Sequence, residues 1–224
     1  MTSLNIFIIL GAYITYSTCV LATPVETQSS EENFETCRQK IYVHLDAAQS
    51  CISNLFSPEE MNETRRIHVG TKCPECHLFL RKENDIVDCI KDAADHLKIF
   101  SNKSREMVPF IAQFAEEALS AYSENENELM TVFGDMDNRE CYRSGRVACR
   151  SHLEFLDHLD RTVMCESLHS GNDTLNQKTF CQHFDDFLGC ADKGSTTCSV
   201  DIRNHSSNLI SKLRNSKSCS KYYQ

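Results

Sequence analysis

The chain has 224 residues, with 23 basic and 32 acidic side chains, a net charge of −9, 13 cysteines and seven glycines. The acidic balance and the lack of a basic stripe exclude nucleic acid and anionic membrane surfaces as partners. A chain of this length can bury a core of its own.

Residues 1–22 contain no Lys, Arg, Asp or Glu, and Ile6 to Leu21 is mostly apolar. Val20 and Ala22 stand at −3 and −1 of a cut before Thr23. This pattern predicts a cleaved secretory signal peptide over 1–22. The apolar run is short and broken by Tyr and Thr, which argues against a membrane span. A secreted, extracellular chain with no membrane partner is the expectation. Four sequons agree with it: Asn62-Glu-Thr, Asn102-Lys-Ser, Asn172-Asp-Thr and Asn204-His-Ser. Each is an N-glycosylation acceptor if the chain enters the secretory pathway.

Setting aside Cys19, twelve cysteines remain: Cys37, Cys51, Cys73, Cys76, Cys89, Cys141, Cys149, Cys165, Cys181, Cys190, Cys198 and Cys219. An even number in an oxidising compartment predicts six disulfides.

Along the mature chain, residues 23–34 are expected to be a flexible lead-in, polar and acidic. Helical spacing then dominates. Phe34, Cys37, Ile41, Leu45, Ala48 and Ile52 form one stripe. Ser57-Pro58-Glu59-Glu60 is a capping box with Pro at the first helical position, and Gly70 is a stop. Ile86, Ile90, Ala93, Leu97 and Phe100 make a second stripe. Pro109 is expected to open or kink a helix that continues through Phe110, Phe114, Ala118 and Ala121. Leu153, Leu156, Leu159 and Val163 follow, then Phe180, Phe184, Phe187 and Leu188, then Val200, Leu209, Ile210 and Leu213.

Strand-like runs are missing. The expected fold is all-α, a disulfide-stapled multi-helix bundle. Residues 122–128, "YSENENE", are the clearest candidate linker. Five of the twelve cysteines precede it and seven follow, so if all pair internally at least one bridge crosses it. We therefore expect a single disulfide-rich helical domain over 35–224.

Cys73-Pro74-Glu75-Cys76-His77 spells C-x-x-C-H, which admits haem attachment, a thiol redox pair or half a zinc site. Secretory features oppose haem. No βαβ pattern precedes the motif, as a thioredoxin-like pair requires. His77, Cys89 and His96 do not complete a zinc spacing. Two ordinary disulfides, each to a different helix, are the favoured assignment. No cofactor or metal is expected. Catalytic motifs such as G-x-S-x-G, the P-loop and H-E-x-x-H are also missing, so no enzyme is expected. His152, His158, His169 and His183 are expected to be solvated or satisfied. Asp157, Asp160, Asp185 and Asp186 belong on solvated helix faces.

In "FCQHFDDFLGCADKGSTTCSVDIRNHSSNLISKLRNSKSC" the cysteines fall at steps of 9, 8 and 21, with an apolar helix between the last two. This resembles the closing framework of the 27-kilodalton haemolymph glycoprotein family of insects. "ETCRQKIYVHLDAAQSC" and "DIVDCIKDAADHL" are compatible with that family's N-terminal half. The resemblance covers the last 40 or so residues best. It implies a secreted, glycosylated α-helical protein with no assigned enzymatic activity, and it carries over no catalytic residue. The expected role is binding in an invertebrate body fluid, of a protein partner or a small apolar ligand, in defence or transport. The alternative is a venom or salivary effector acting on a host protein.

Overall fold

The computed structural model describes residues 28–71, 73–124, 126–165 and 175–223. Residues 1–22, expected to be a signal peptide, together with Asn172 and His169, lie outside these. Eight α-helices occur among the described residues: α1 Gln28–Leu55, α2 Pro58–Ile67, α3 Pro74–Leu97, α4 Asn102–Ser123, α5 Glu126–Phe133, α6 Met136–Val147, α7 Gln177–Ser195 and α8 Val200–Arg214. A 3₁₀ helix at Arg150–His158, a π-helix at Asp160–Met164 and a 3₁₀ turn at Ser220–Tyr222 complete them. No strand occurs among the described residues. The chain is an all-α bundle stapled by six disulfides. No described helix is long and apolar enough to cross a membrane.

Helix α1 begins at Gln28, inside the stretch 23–34 expected to be a flexible lead-in. Phe34 is buried and carries the Arg161 guanidinium 5.2 Å from its ring centroid. That anchor orders the first turns. The α2 start is as expected at Ser57, whose Oγ accepts a hydrogen bond from the Glu60 amide at 3.2 Å. The box is half made, because the Glu60 carboxylate turns instead to Arg81 at 2.8 Å and Lys82 at 3.6 Å. Gly70 follows with φ +85°, a conformation that disfavours any residue with a Cβ.

Pro109 does not open α4. A reciprocal Ser101–Ser104 cap starts the helix at Asn102. Pro109 sits inside it on the exposed face, where the helix loses one amide donor without burying an unpaired carbonyl among core residues.

The 122–128 linker shrinks to the break between Ser123 and Glu126. Tyr122 is core, not linker. Its hydroxyl accepts from Tyr142 at 3.2 Å and from the Arg146 guanidinium, which lies 3.9 Å over the Tyr142 ring. Burial pushes the Tyr142 hydroxyl well above its ordinary pKa. The buried hydrophobic residues from Phe34 to Cys219 form one cluster, with no gap at this break. Cys37–Cys165 is the bridge that crosses it, spanning 128 residues.

The Leu153 stripe is helical but not α. Leu153, Leu156 and Leu159 repeat every three residues, the period of a 3₁₀ helix. The π segment then closes with the Cys165 amide donating to the Asp160 carbonyl at 2.7 Å. It is held from outside. Asp160 meets Arg38 at 3.1 Å, and the Val163 carbonyl accepts from Ser101 Oγ at 2.6 Å. Val200, placed on the last stripe, is 56% exposed at the start of α8, and Ile202 takes its place in the core.

The C-terminal halves of α6 and α7 run antiparallel, clamped on either side of their contact by Cys141–Cys198 and Cys149–Cys190. Gly145 and Gly194 stand midway between the bridges, in the same register. A Cβ on Gly194 would lie 2.9 Å from Gly145 Cα. The two backbones touch, and only glycine fits. Near the opposite, N-terminal end of α7, Phe114 and Phe180 meet edge-on at 5.4 Å, joined by Phe110, Phe155 and Phe184, and fasten α4 to α7.

Candidate functional site

Three helices and the π segment enclose an apolar groove of ≈ 90 Å³. Each helix reaches it with one face at helical spacing. Leu45, Ala48 and Ile52 come from α1; Ile90, Ala93, Ala94 and Leu97 from α3; Val108, Ile111, Ala112 and Ala115 from α4. Leu159 and Met164 close one side, and Gln49 is the one polar lining residue. Leu45, Leu97, Val108, Leu159 and Met164 are buried and form the floor. Ile52, Ile90, Ile111 and the alanines are half-buried and face the opening. Five alanines where bulkier residues would meet make the space.

The walls are fixed independently of any occupant. Cys51–Cys89 joins α1 to α3 beside Ile52 and Ile90. At the other end His44 stacks on His96 at 4.9 Å with an interplanar angle of 6°, and Phe100 packs edge-on at 6.0 Å. Lys91 meets Glu116 at 2.9 Å and ties α3 to α4. Two exposed apolar residues, Val43 at 66% and Ile99 at 69%, belong to the histidine end. With no titratable side chain in its lining, the groove can select by size and apolarity, not by charge.

A second concavity of ≈ 540 Å³, open and polar, lies between α7, α8 and the C-terminal turn. Asp192, Arg214, Asn215 and Tyr223 line it. Arg214 is already committed to Asp185 at 2.6 Å. Burial, reinforced by Asp185, pushes the Tyr223 hydroxyl above its ordinary pKa.

The twelve cysteines from Cys37 to Cys219 are all bridged, as expected. The correction concerns the C-x-x-C-H motif. Cys73 and Cys76 do not reach different helices; they are bonded to each other. Pro74 and Glu75 close one turn at the start of α3, which brings their Cα atoms to 5.3 Å and leaves both cysteines within reach. With both sulfurs in one bridge, neither is available for a thioether to haem.

His77 stacks on His68 at 4.0 Å, and its Nδ1 meets Glu126 at 3.1 Å. His183 lies on Phe155 at 4.9 Å. Asp157 faces Arg150 at 3.8 Å, and Asp186 is exposed. Among the described residues no group of three or more His, Cys, Asp or Glu is placed to hold a metal ion. Asn62, Asn102 and Asn204 are exposed, whereas the hydroxyl residues of their sequons, Thr64, Ser104 and Ser206, are buried.

Comparison with family models, curated proteins and solved structures finds no match to this chain.

Proposed function

We propose that this chain is a secreted, N-glycosylated, non-enzymatic protein of an invertebrate body fluid, and that it acts by holding a small apolar group in the α1–α3–α4 groove. The groove itself carries the reading: thirteen apolar residues and one glutamine on walls fixed by a disulfide, a ring stack and an ion pair. Its volume limits the occupant. Sites for drug-sized ligands run to about 300–1,000 Å³, and a dry cavity of about 150 Å³ takes benzene. At ≈ 90 Å³ the groove suits a short or branched hydrocarbon group, not an entire long-chain lipid. The resemblance to haemolymph glycoproteins and the even cysteine count support the body-fluid assignment.

The test is a titration of the ¹⁵N-labelled protein with 3-methylbutan-1-ol, followed by amide shifts. Saturable shifts confined to residues around Ala93, Ala94, Ala112 and Ala115 are expected, and Ala112→Phe should abolish them. Shifts that survive Ala112→Phe, or that scatter over the surface, would dismiss the groove as the site. The rival role is an effector that grips a host protein. It would be separated by source tissue, a venom or salivary gland instead of a haemolymph-producing one. Native mass spectrometry of source material would report any retained ligand.

A further inference from the structure

We infer that Cys73–Cys76 is a thiol-exchange site, a reducible pair that accepts two electrons from a dithiol, chemically distinct from the five bridges that hold the fold. The first ground is connectivity. Every other bridge joins separate elements and spans between 38 and 128 residues. Cys73–Cys76 spans three residues and joins nothing that α3 does not already join. A ring this short restricts the unfolded chain least, so its loss removes the least stability.

The second ground is placement. Cys73 is the N-cap of a 24-residue helix with Pro74 at its first position, and its side chain makes no capping hydrogen bond in the disulfide form. Once reduced, a Cys73 thiolate gains what the bridged sulfur lacks. It faces the positive end of the helix dipole and can share the Cys76 amide, which in the disulfide form donates to the Cys73 carbonyl at 3.1 Å. Reduction is thereby favoured by contacts that exist only in its product.

The third ground is the surrounding chemistry. His77 lies four residues after Cys73, on the same helix face and one turn away. Its ring is held by the His68 stack and by Glu126. The neighbouring Glu75 carboxylate is committed to Arg65 at 2.8 Å, which reduces its repulsion of a thiolate. Cys73 is 5% exposed and Cys76 fully enclosed, so attack falls on Cys73.

The exchange balances with one named co-reactant, a dithiol. Its thiolate attacks Cys73 Sγ, a mixed disulfide forms, the Cys73–Cys76 bond breaks, and the electron pair leaves with Cys76 Sγ. The donor's second thiol then attacks its own sulfur in the mixed disulfide. This closes the donor's disulfide and releases Cys73 as the N-cap thiolate. Two electrons pass from the donor to the pair; of the donor's two protons, one ends on Cys76 Sγ and the other goes to solvent. The site is independent of the groove, whose α3 residues begin at Ile90, roughly 20 Å further along the helix.

The experiment is a graded dithiothreitol titration of the intact oxidised glycoprotein. Free thiols are trapped with N-ethylmaleimide and each cysteine is located by mass spectrometry. Cys73 and Cys76 should label at about tenfold lower reductant than any other cysteine, with the far-UV circular dichroism unchanged. Labelling together with or after the other bridges, or only with loss of helix, would overturn the inference. A second arm treats Cys76→Ser and Cys73→Ser with glutathione disulfide. Cys76→Ser should trap one glutathione on Cys73 and Cys73→Ser almost none; equal trapping, or none in either, would also overturn it.

Discussion

Replacing Gly194 by alanine tests the tightest contact in the fold. A Cβ built there lies 2.9 Å from both Cα and the carbonyl oxygen of Gly145. The obstacle is backbone, so no side-chain rotation relieves it. Sliding α6 along α7 is blocked on either side of their contact by Cys141–Cys198 and Cys149–Cys190. Overpacking of this kind destabilises by about 1–3 kcal/mol. Against it stands the gain from removing a flexible helical glycine, about 0.5–1 kcal/mol in a helix interior. That gain is reduced here, because Gly194 is the last residue but one of α7. The balance is a net loss of about 1–2 kcal/mol, or about 2–8 °C in Tm for a chain of this size.

The internal control is Gly189, on the same helix. A Cβ there meets only the end of the Arg214 side chain at 3.7 Å, an ordinary contact. Gly189→Ala should therefore gain about 0.5–1 kcal/mol and raise Tm by about 1–4 °C. Gly145→Ala, with its closest contact at 3.1 Å, should fall between the two. Thermal unfolding of the three oxidised variants by circular dichroism gives the ranking. A Gly194→Ala Tm at or above that of Gly189→Ala would refute the close-approach argument.

Limited proteolysis between Ser123 and Glu126 should leave fragments that stay joined on a non-reducing gel and separate with reductant, because Cys37–Cys165 spans the cut; a Cys37→Ser, Cys165→Ser variant should separate without reductant. Tyr142 should resist ionisation in an ultraviolet titration well past the range of ordinary tyrosines. Since unfolding then releases its proton, stability should fall as pH rises above about 10, and less steeply in Tyr142→Phe. Secreted protein should carry glycan at Asn62, Asn102 and Asn204, but unglycosylated protein that is already folded should not be a transferase substrate, because Thr64, Ser104 and Ser206 are buried. Purified protein should show no Soret absorption, and His77→Ala should leave the helix content unchanged; a chromophore that survives denaturation would contradict the Cys73–Cys76 bridge.

The core faces were legible because burial imposes a period on sequence. Ile41 and Leu45, Ile86 and Leu97, and Phe180 and Phe184 all stand where their spacing put them. Errors arose where one residue outweighed its neighbours' composition. Phe34 ordered a lead-in that reads as polar, and Tyr122 pulled the start of an acidic linker into the core. The Leu153 stripe misled through its period, since spacing by three satisfies an irregular α-face and a 3₁₀ helix alike. The apolar groove was written in each helix as an ordinary core stripe. What marks it as a space is that five alanines from three helices converge, and convergence is tertiary information.

One feature was present in the sequence as a repeat and had a mechanical meaning. Cys141 to Cys149 spells C-x-x-x-G-x-x-x-C, and Cys190 to Cys198 spells it again. Spacing by four keeps both cysteines and the glycine on one helix face. Two such faces pair antiparallel in a single register, first cysteine with last, glycine with glycine. Disulfide Cα atoms stand 5.9 and 5.7 Å apart at the two bridges, a separation that draws the helix axes together. At the midpoint of so close a pair there is no room for a Cβ. The glycines are therefore a consequence of the bridges. The same logic separates Cys73–Cys76 from the rest, because its intervening residues form a single turn and it draws no second helix in. Bridges that impose glycines on their surroundings are built into the packing. Cys73–Cys76 closes only the first turn of its own helix, and no second element depends on it for its position.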